Sequence, residues 1–352
     1  MSGASPSPPS RAAIVGIAGT RLRPEERRLI AAHDPLGFIL FARNCRTPDQ
    51  VRALVADLRA AVGRGDAPVL IDQEGGRVAR LRPPHWPDQP PARAIGRLAE
   101  ADEGAGREAA WLHARLLAAD LAPLGITVDC APVLDLAWPG RTAAIGDRAF
   151  SADPKIVGLL GRAALDGFLA GGVLPVIKHL PGHGRARVDS HLELPVVAAS
   201  RDELAASDWR PFRICRDAPL GMTAHVLYPA LDPDWPATHS ARIIDEVIRG
   251  AIGFDGLLLS DDLSMQALGG RLGERCARAL AAGCDVALHC NGDLGEMVEV
   301  LAAAGPLSDA AEGRLARAFA RLDGGMVCDL IAAQAQRDAL LASVTQAAVS
   351  SV

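Results

Sequence analysis

Eight short apolar runs recur along the chain, AAIVGIAG from Ala12, GFILF from Gly37, PVLID from Pro68, ITVDCAPV from Ile126, LPVIKH from Leu174, LGMTAH from Leu220, GLLLSD from Gly256 and CDVALHC from Cys284. They are continuously apolar instead of alternating, as strands are when both faces of their sheet are covered. Between them, apolar positions return with helical spacing. In TPDQVRALVADLRAAV from Thr47, residues Val51, Leu54, Val55 and Leu58 form one stripe, and Thr47 with Gln50 reads as a capping box. Comparable helices are predicted for GREAAWLHARLLAADLA from Gly106, DPKIVGLLGRAALDGFLA from Asp153 and SARIIDEVIRGAIG from Ser240. Strand and helix in strict alternation require parallel crossovers, and eight such units predict a single-domain α/β fold of the (β/α)8 TIM barrel type. A doubly wound open sheet is the structural rival, but no strand is followed by a GxGxxG turn, and PVLIDQEGGRV lacks that spacing.

The pattern divides the chain into a Pro/Ser-rich flexible tail (1–10), the barrel (11–305) and an Ala/Arg/Leu-rich helical extension packed on it (306–352). The tail has no apolar stretch of the signal-peptide kind. No run approaches the roughly 18 apolar residues of a membrane span. With 37 Lys+Arg against 42 Asp+Glu, the net charge is −5, so no basic field draws nucleic acid or anionic lipid. The 7 cysteines are scattered without CxxC spacing and read as reduced and structural, which favours a cytoplasmic location. Lysine occurs only at Lys155 and Lys178, so a lysine inside a motif stands out.

In such a barrel, reactive groups gather where strands end. The residues there are polar: Arg43 and Asn44 after the second run, Asp72 and Glu74 after the third, Asp129 and Asp135 after the fourth, Lys178 and His179 in the fifth, His225 in the sixth, Asp261 and Asp262 in the seventh, His289 and Asn291 in the eighth. Any one of them serves a strand end as a plain structural residue. Together around one mouth they would offer many directed donors and acceptors, as a polyhydroxylated ligand requires.

The densest segment is KHLPGHGRARVDSHLELP, from Lys178 to Pro195. Pro181, Gly182 and Gly184 impose a tight loop. Asp189 and His191 stand two apart, which in extended chain puts both side chains on one side, where a carboxylate orients an imidazole for proton transfer. A metal site is the competing reading, since His179, His183, His191, Asp189 and His225 include suitable ligand types, although neither HxH nor HExxH spacing occurs. In LLLSDDLSMQAL, successive residues leave the strand in opposite directions, so one of Asp261 and Asp262 faces the mouth and the other caps the following turn. A fixed carboxylate at that place can serve as a nucleophile.

IDQEGGRVARLR, KHLPGHG with its DSH, MTAHVLYPALD and SDDLSM, in this order, resemble the single-domain bacterial β-N-acetylglucosaminidases of glycoside hydrolase family 3, over roughly Gly16 to Asn291. The resemblance implies a (β/α)8 barrel that releases terminal, non-reducing β-linked N-acetylglucosamine from cell-wall muropeptides with retention of configuration. By motif it implies Asp261 as nucleophile, His191 as acid/base with Asp189 as its partner, and Asp72, Arg148, Lys178 and His179 as residues that grip sugar hydroxyls. It implies neither metal nor organic cofactor, a small-molecule sugar as the sole partner, and a monomer. Leu180 stands where the family usually has Phe, a change expected to touch loop packing. The other readings of the same residues are a metal-dependent hydrolase on the same barrel and a non-catalytic amino-sugar binding protein.

Overall fold

The continuous apolar runs become strands in which alternate side chains point to opposite sides, both of them buried. A computed structural model describes residues 10–140, 142–322 and 325–350, without side chains for 344–350; apart from Ser10, the expected flexible tail lies outside them. The strands are β1 (Arg11–Gly16), β2 (Pro35–Leu40), β3 (Val69–Ile71), β4 (Val128–Asp129), β5 (Leu174–Leu180), β6 (Leu220–Thr223), β7 (Leu257–Asp262) and β8 (Val286–His289). They pair in parallel in chain order, and β8 returns to β1, closing the predicted (β/α)8 barrel. Ile14, Ile39, Leu70, Val128, Val176, Met222, Leu259 and Leu288, one from each strand, fill the interior. Their neighbours Ala13, Val15, Phe38, Leu40, Val69, Ile71, Ile177 and Leu258 pack outward against the helices. Two buried faces explain why no strand alternates in sequence.

The helix from Thr47 runs over Pro48–Val62 with the predicted buried stripe, and Thr47 caps it by accepting the Gln50 N–H at 3.3 Å. The expected capping box is only half formed. The Gln50 amide donates to the carbonyls of Thr20 and Asn44, and its oxygen accepts from Arg46, one residue before the cap. The Arg46 N–H thus takes the oxygen that the Thr47 N–H would need, and the carbonyls of Thr20 after β1 and Asn44 after β2 hold the amide in that orientation. Asp102 and Asp153 cap the helices Glu103–Leu121 and Pro154–Ala170. The segment from Ser240 forms the wider-wound π-helix Ile243–Ile252 instead of an α-helix.

Beyond β8, helix Asp309–Phe319 contributes Ala311 and Ala318 to the interior cluster. Helix Leu330–Ser350 runs against Ala92–Ala101 and Glu103–Leu121, where Ala333 meets Leu112 and Leu116, and Arg337, buried, donates to Gln89. Among the described residues no helix is long and apolar enough to cross a membrane.

Candidate active site

A cleft of about 340 Å³ opens at the mouth of the barrel, lined by Asp72 beyond β3, Lys178 and His179 of β5, Asp261 and Asp262 of β7, and by loop residues including Arg77, Arg80, Arg148, His183, Asp189, Ser190 and His191. Strand ends supply the rigid part and loops the rim, as the fold dictates. All seven site residues singled out in the sequence line this one cleft.

Its most buried part is a charge cluster. Lys178 Nζ lies 2.8 Å from both Asp72 Oδ1 and Glu74 Oε1, and Arg80 reaches Asp72 Oδ2 at 3.2 Å. Arg148 grips Glu74 with two parallel bonds of 2.8 Å and donates a third to the Ala144 carbonyl. Burial alone would raise both carboxyls, yet Lys178 and Arg80 hold Asp72 well below the usual range, and Arg148 and Lys178 bring Glu74 down to about 2. Conversely, burial would lower Lys178, but Asp72 and Glu74 outweigh it and keep the ammonium charged. For Asp129, by contrast, burial outweighs the Gln73 N–H, which Oδ1 accepts at 2.9 Å, and the charge of Lys178, and pushes its carboxyl well up.

His179 is oriented from behind. Its Nδ1 lies 2.6 Å from Asp135 Oδ2, and although burial would raise Asp135, His179 itself keeps that carboxyl low, so it accepts and Nδ1 carries the proton. Nε2 is thereby the ring nitrogen left to meet a ligand. Burial drops His183 to about 4 against the pull of Asp135, so its imidazole is neutral at ordinary pH.

Asp189 and His191 meet as expected, but by a different route. The chain there is a turn, not an extended strand: Asp189 Oδ1 accepts from both the backbone N–H of His191, at 3.0 Å, and its ring Nδ1, at 2.8 Å, while the Asp189 carbonyl accepts from Leu192 and Glu193. An aspartate that folds back on the backbone two residues ahead stabilises its own turn. The His191 ring is 68 % exposed, on the open rim.

Both Asp261 and Asp262 line the cleft, whereas the sequence predicts one of them there; the other half of the expectation, a cap on the following turn, is met by Asp262. Asp262 accepts from Ser264 N–H and O–H and from Cys290 N–H, tying the exit of β7 to that of β8. Among the described residues Asp261 accepts the Asp262 N–H alone, at 2.8 Å; burial would raise its carboxyl, but His225 and His179 hold it below the ordinary value.

Other polar strand ends turn away from the cleft. Arg43 is spent on the carbonyls of Ile17 and Cys290, and Asn44 on Phe41, Ile17 and Gly19. His225 has both ring nitrogens engaged, by Thr238 Oγ1 and the Asp262 carbonyl, and His289 and Asn291 are held by Glu296. Leu180 packs in the outer apolar layer, away from the cleft lining. Among the described residues, no three His, Cys, Asp or Glu side chains are grouped so as to hold a metal ion. The sequence reading missed the Glu74–Arg148 pair: Glu74 was visible as a strand-end carboxylate, but nothing local pointed to a partner 74 residues away.

A closed parallel barrel with carboxylates, cations and a carboxylate-braced histidine gathered at its mouth has the frame of a barrel enzyme. Residues 12–322 match the family model described as glycosyl hydrolase family 3 N terminal domain. The chain is 42% identical to a beta-hexosaminidase of Pseudomonas aeruginosa over 281 residues, 79% of this chain and 82% of that one. It is 40% identical to a beta-hexosaminidase of Aromatoleum aromaticum over 79% of this chain and 78% of that one. Among solved structures it resembles NagZ from Neisseria gonorrhoeae in complex with N-trifluoroacetyl-D-glucosamine, with a TM-score of 0.84 and 33% identity over 97% of this chain and 99% of that one. The protein belongs to glycosyl hydrolase family 3 and is a glycoside hydrolase.

Proposed function

We propose that the protein is a retaining exo-β-N-acetylglucosaminidase acting on cell-wall muropeptide fragments through a covalent glycosyl-aspartate. The observation that carries this reading is that one cleft is lined both by Asp261, a carboxylate held ionised, and by the Asp189–His191 pair. Asp261 attacks the anomeric carbon while His191 protonates the departing oxygen; His191 then takes a proton from the water that opens the glycosyl ester, restoring both groups. Asp189 keeps Nδ1 occupied, so Nε2 carries the proton to be moved. Asp72, Lys178, His179 and Arg148 present fixed acceptors and donors to the sugar hydroxyls, with Glu74 holding the two cations in place. A charged cluster fixed before the ligand arrives costs no reorganisation in the transition state. No cofactor enters this scheme.

Preference for the N-acetylated sugar is supported by the beta-hexosaminidase relatives and by the gonococcal neighbour, solved with an N-acylated glucosamine. The cell-wall substrate rests on the family resemblance. With it go a cytoplasmic, monomeric enzyme and the division into a barrel (11–305) and a helical extension (306–352). The test is turnover of a chromogenic β-N-acetylglucosaminide against the matching β-glucoside, in the intact protein and in Asp261→Asn. The first substrate should be cleaved preferentially, with the β-anomer of the sugar as first product, and Asp261→Asn should neither turn over nor trap a glycosyl-enzyme. Equal cleavage of both substrates would overturn the sugar assignment, and near-normal turnover by the variant would overturn the mechanism.

A further inference from the structure

Between its ends, the turn that carries Asp189 and His191 is hydrogen-bonded to the rest of the described protein through one residue. From Arg187 to Leu194 every residue is exposed or half-buried except Ser190, which is 4 % exposed. Among the described residues, the hydrogen bonds joining this stretch to the rest of the molecule both belong to Ser190. Its Oγ lies 3.2 Å from Nε2 of His183, and its carbonyl accepts the Ala267 N–H at 3.2 Å. The other bonds of the turn, Asp189 to His191, Leu192 and Glu193, are internal to it and do not tie it to the body of the barrel.

The two fastenings lead to the strands that matter. The His183 N–H donates to Asp135, the carboxylate that also orients His179 at the end of β5. Ala267 follows β7, which carries Asp261. His183 has little alternative to this bond: it is buried, and its Nδ1 has no partner. Removing the Ser190 hydroxyl would leave both ring nitrogens unsatisfied, a penalty that buried polar groups avoid.

We infer that Ser190 is a positioning residue for proton transfer: through its hydroxyl bond to His183 it fixes where the Asp189–His191 pair stands over the cleft. This rests on the acid/base role given to His191 above. Ser190 touches neither the reacting carbon nor the leaving oxygen in this account; it acts through the histidine beside it. A proton donor contributes only when it is held within hydrogen-bond reach of the departing atom.

The test separates steps that need a proton from steps that do not. An alkyl or sugar leaving group must be protonated as the glycosidic bond breaks, whereas dinitrophenolate departs unaided. Because kcat/KM reports the steps up to bond cleavage, Ser190→Ala should lose about tenfold or more in kcat/KM on an alkyl β-N-acetylglucosaminide and less than about twofold on the dinitrophenyl one, since complete loss of a general acid costs about 10²–10⁴-fold. Ser190→Thr keeps the hydroxyl and should restore the alkyl substrate. His183→Gln, which disturbs the other end of the bond, should give the same split and takes the place of Ser190→Ala if that variant does not fold. His191→Ala is the control and should show the same split, larger. If His191→Ala loses equally on both substrates, the acid/base assignment itself falls. If His191→Ala shows the split while Ser190→Ala loses equally on both, or on neither, the positioning role of Ser190 is overturned and the acid/base assignment stands.

Discussion

Arg148 and Glu74 face each other in a bidentate pair, Nε to Oε2 and Nη2 to Oε1 at 2.8 Å each, with side chains 13% and 6% exposed. Glu74 also receives Lys178, so one carboxylate sits between two cations that would otherwise repel each other beneath the cleft. Geometry of this kind fixes side chains as well as charge, since a forked guanidinium has one good orientation on a carboxylate.

Replacing Glu74 by Gln should therefore harm the protein twice. Stability should fall by roughly 3–5 kcal/mol, the range seen when one member of a buried ion pair is removed and the other is left uncompensated. KM for the sugar should also rise as Lys178 and Arg148 lose their fixed positions. Urea unfolding and steady-state kinetics on the folded fraction check both. In the intact protein, the depressed Glu74 value gives a sign for acid stability. The contribution is present above the unfolded carboxyl value near 4.5 and is lost as pH falls from there toward about 2. Glu74→Gln should flatten that part of the stability–pH curve.

The nucleophile assigned to Asp261 makes a prediction about pH. Burial works against its ionisation, but His225 and His179 lower its value beneath the ordinary 3.8. Attack requires the carboxylate, so the loss of kcat/KM caused by protonating Asp261 should have its midpoint below that pH. A pH–kcat/KM profile in His191→Ala, with a dinitrophenyl glycoside that needs no acid, isolates this limb. A limb centred well above pH 4 would contradict the assignment.

Gly184 closes the loop between β5 and the Asp189–His191 turn, and a Cβ built there would stand 2.2 Å from the Leu136 carbonyl oxygen and 2.8 Å from its nitrogen. Backbone cannot swing aside as a long side chain can. Gly184→Ala should cost roughly 1–3 kcal/mol of stability, the usual cost of overfilling a packed site. Activity should drop with it, because Asp135, His179 and His183 share that corner. Thermal unfolding together with kcat on the chromogenic substrate measures the two effects; unchanged melting would show that the loop has another way to close.

The eight strands, their parallel order and a helical segment in four of the seven crossovers between them were legible in the sequence, because each is specified by a pattern only a few residues long. An apolar run covered on both faces, a stripe at helical spacing and an Asp or Thr before a helix keep the same meaning wherever the chain goes. That one of Asp261 and Asp262 caps the turn after β7 was legible for the same reason. The full Gln50 capping box and the extended Asp189–His191 segment do not form, because partners outside the local pattern take part: the Arg46 N–H on the Gln50 oxygen in one case, backbone N–H groups of a turn in the other.

By itself, then, the sequence determined a closed barrel of eight βα units with polar residues at its strand ends, since local periodicity and the geometry of parallel crossovers leave little else. Only the tertiary structure decided which of those polar residues work together. It turned Arg43, Asn44, His225 and His289 into scaffold, joined Glu74 to Arg148, and fastened the Asp189–His191 turn through Ser190. Hydrogen bonds and ion pairs depend on distances of a few ångströms in space, and residues far apart in the chain acquire those distances only when the barrel closes.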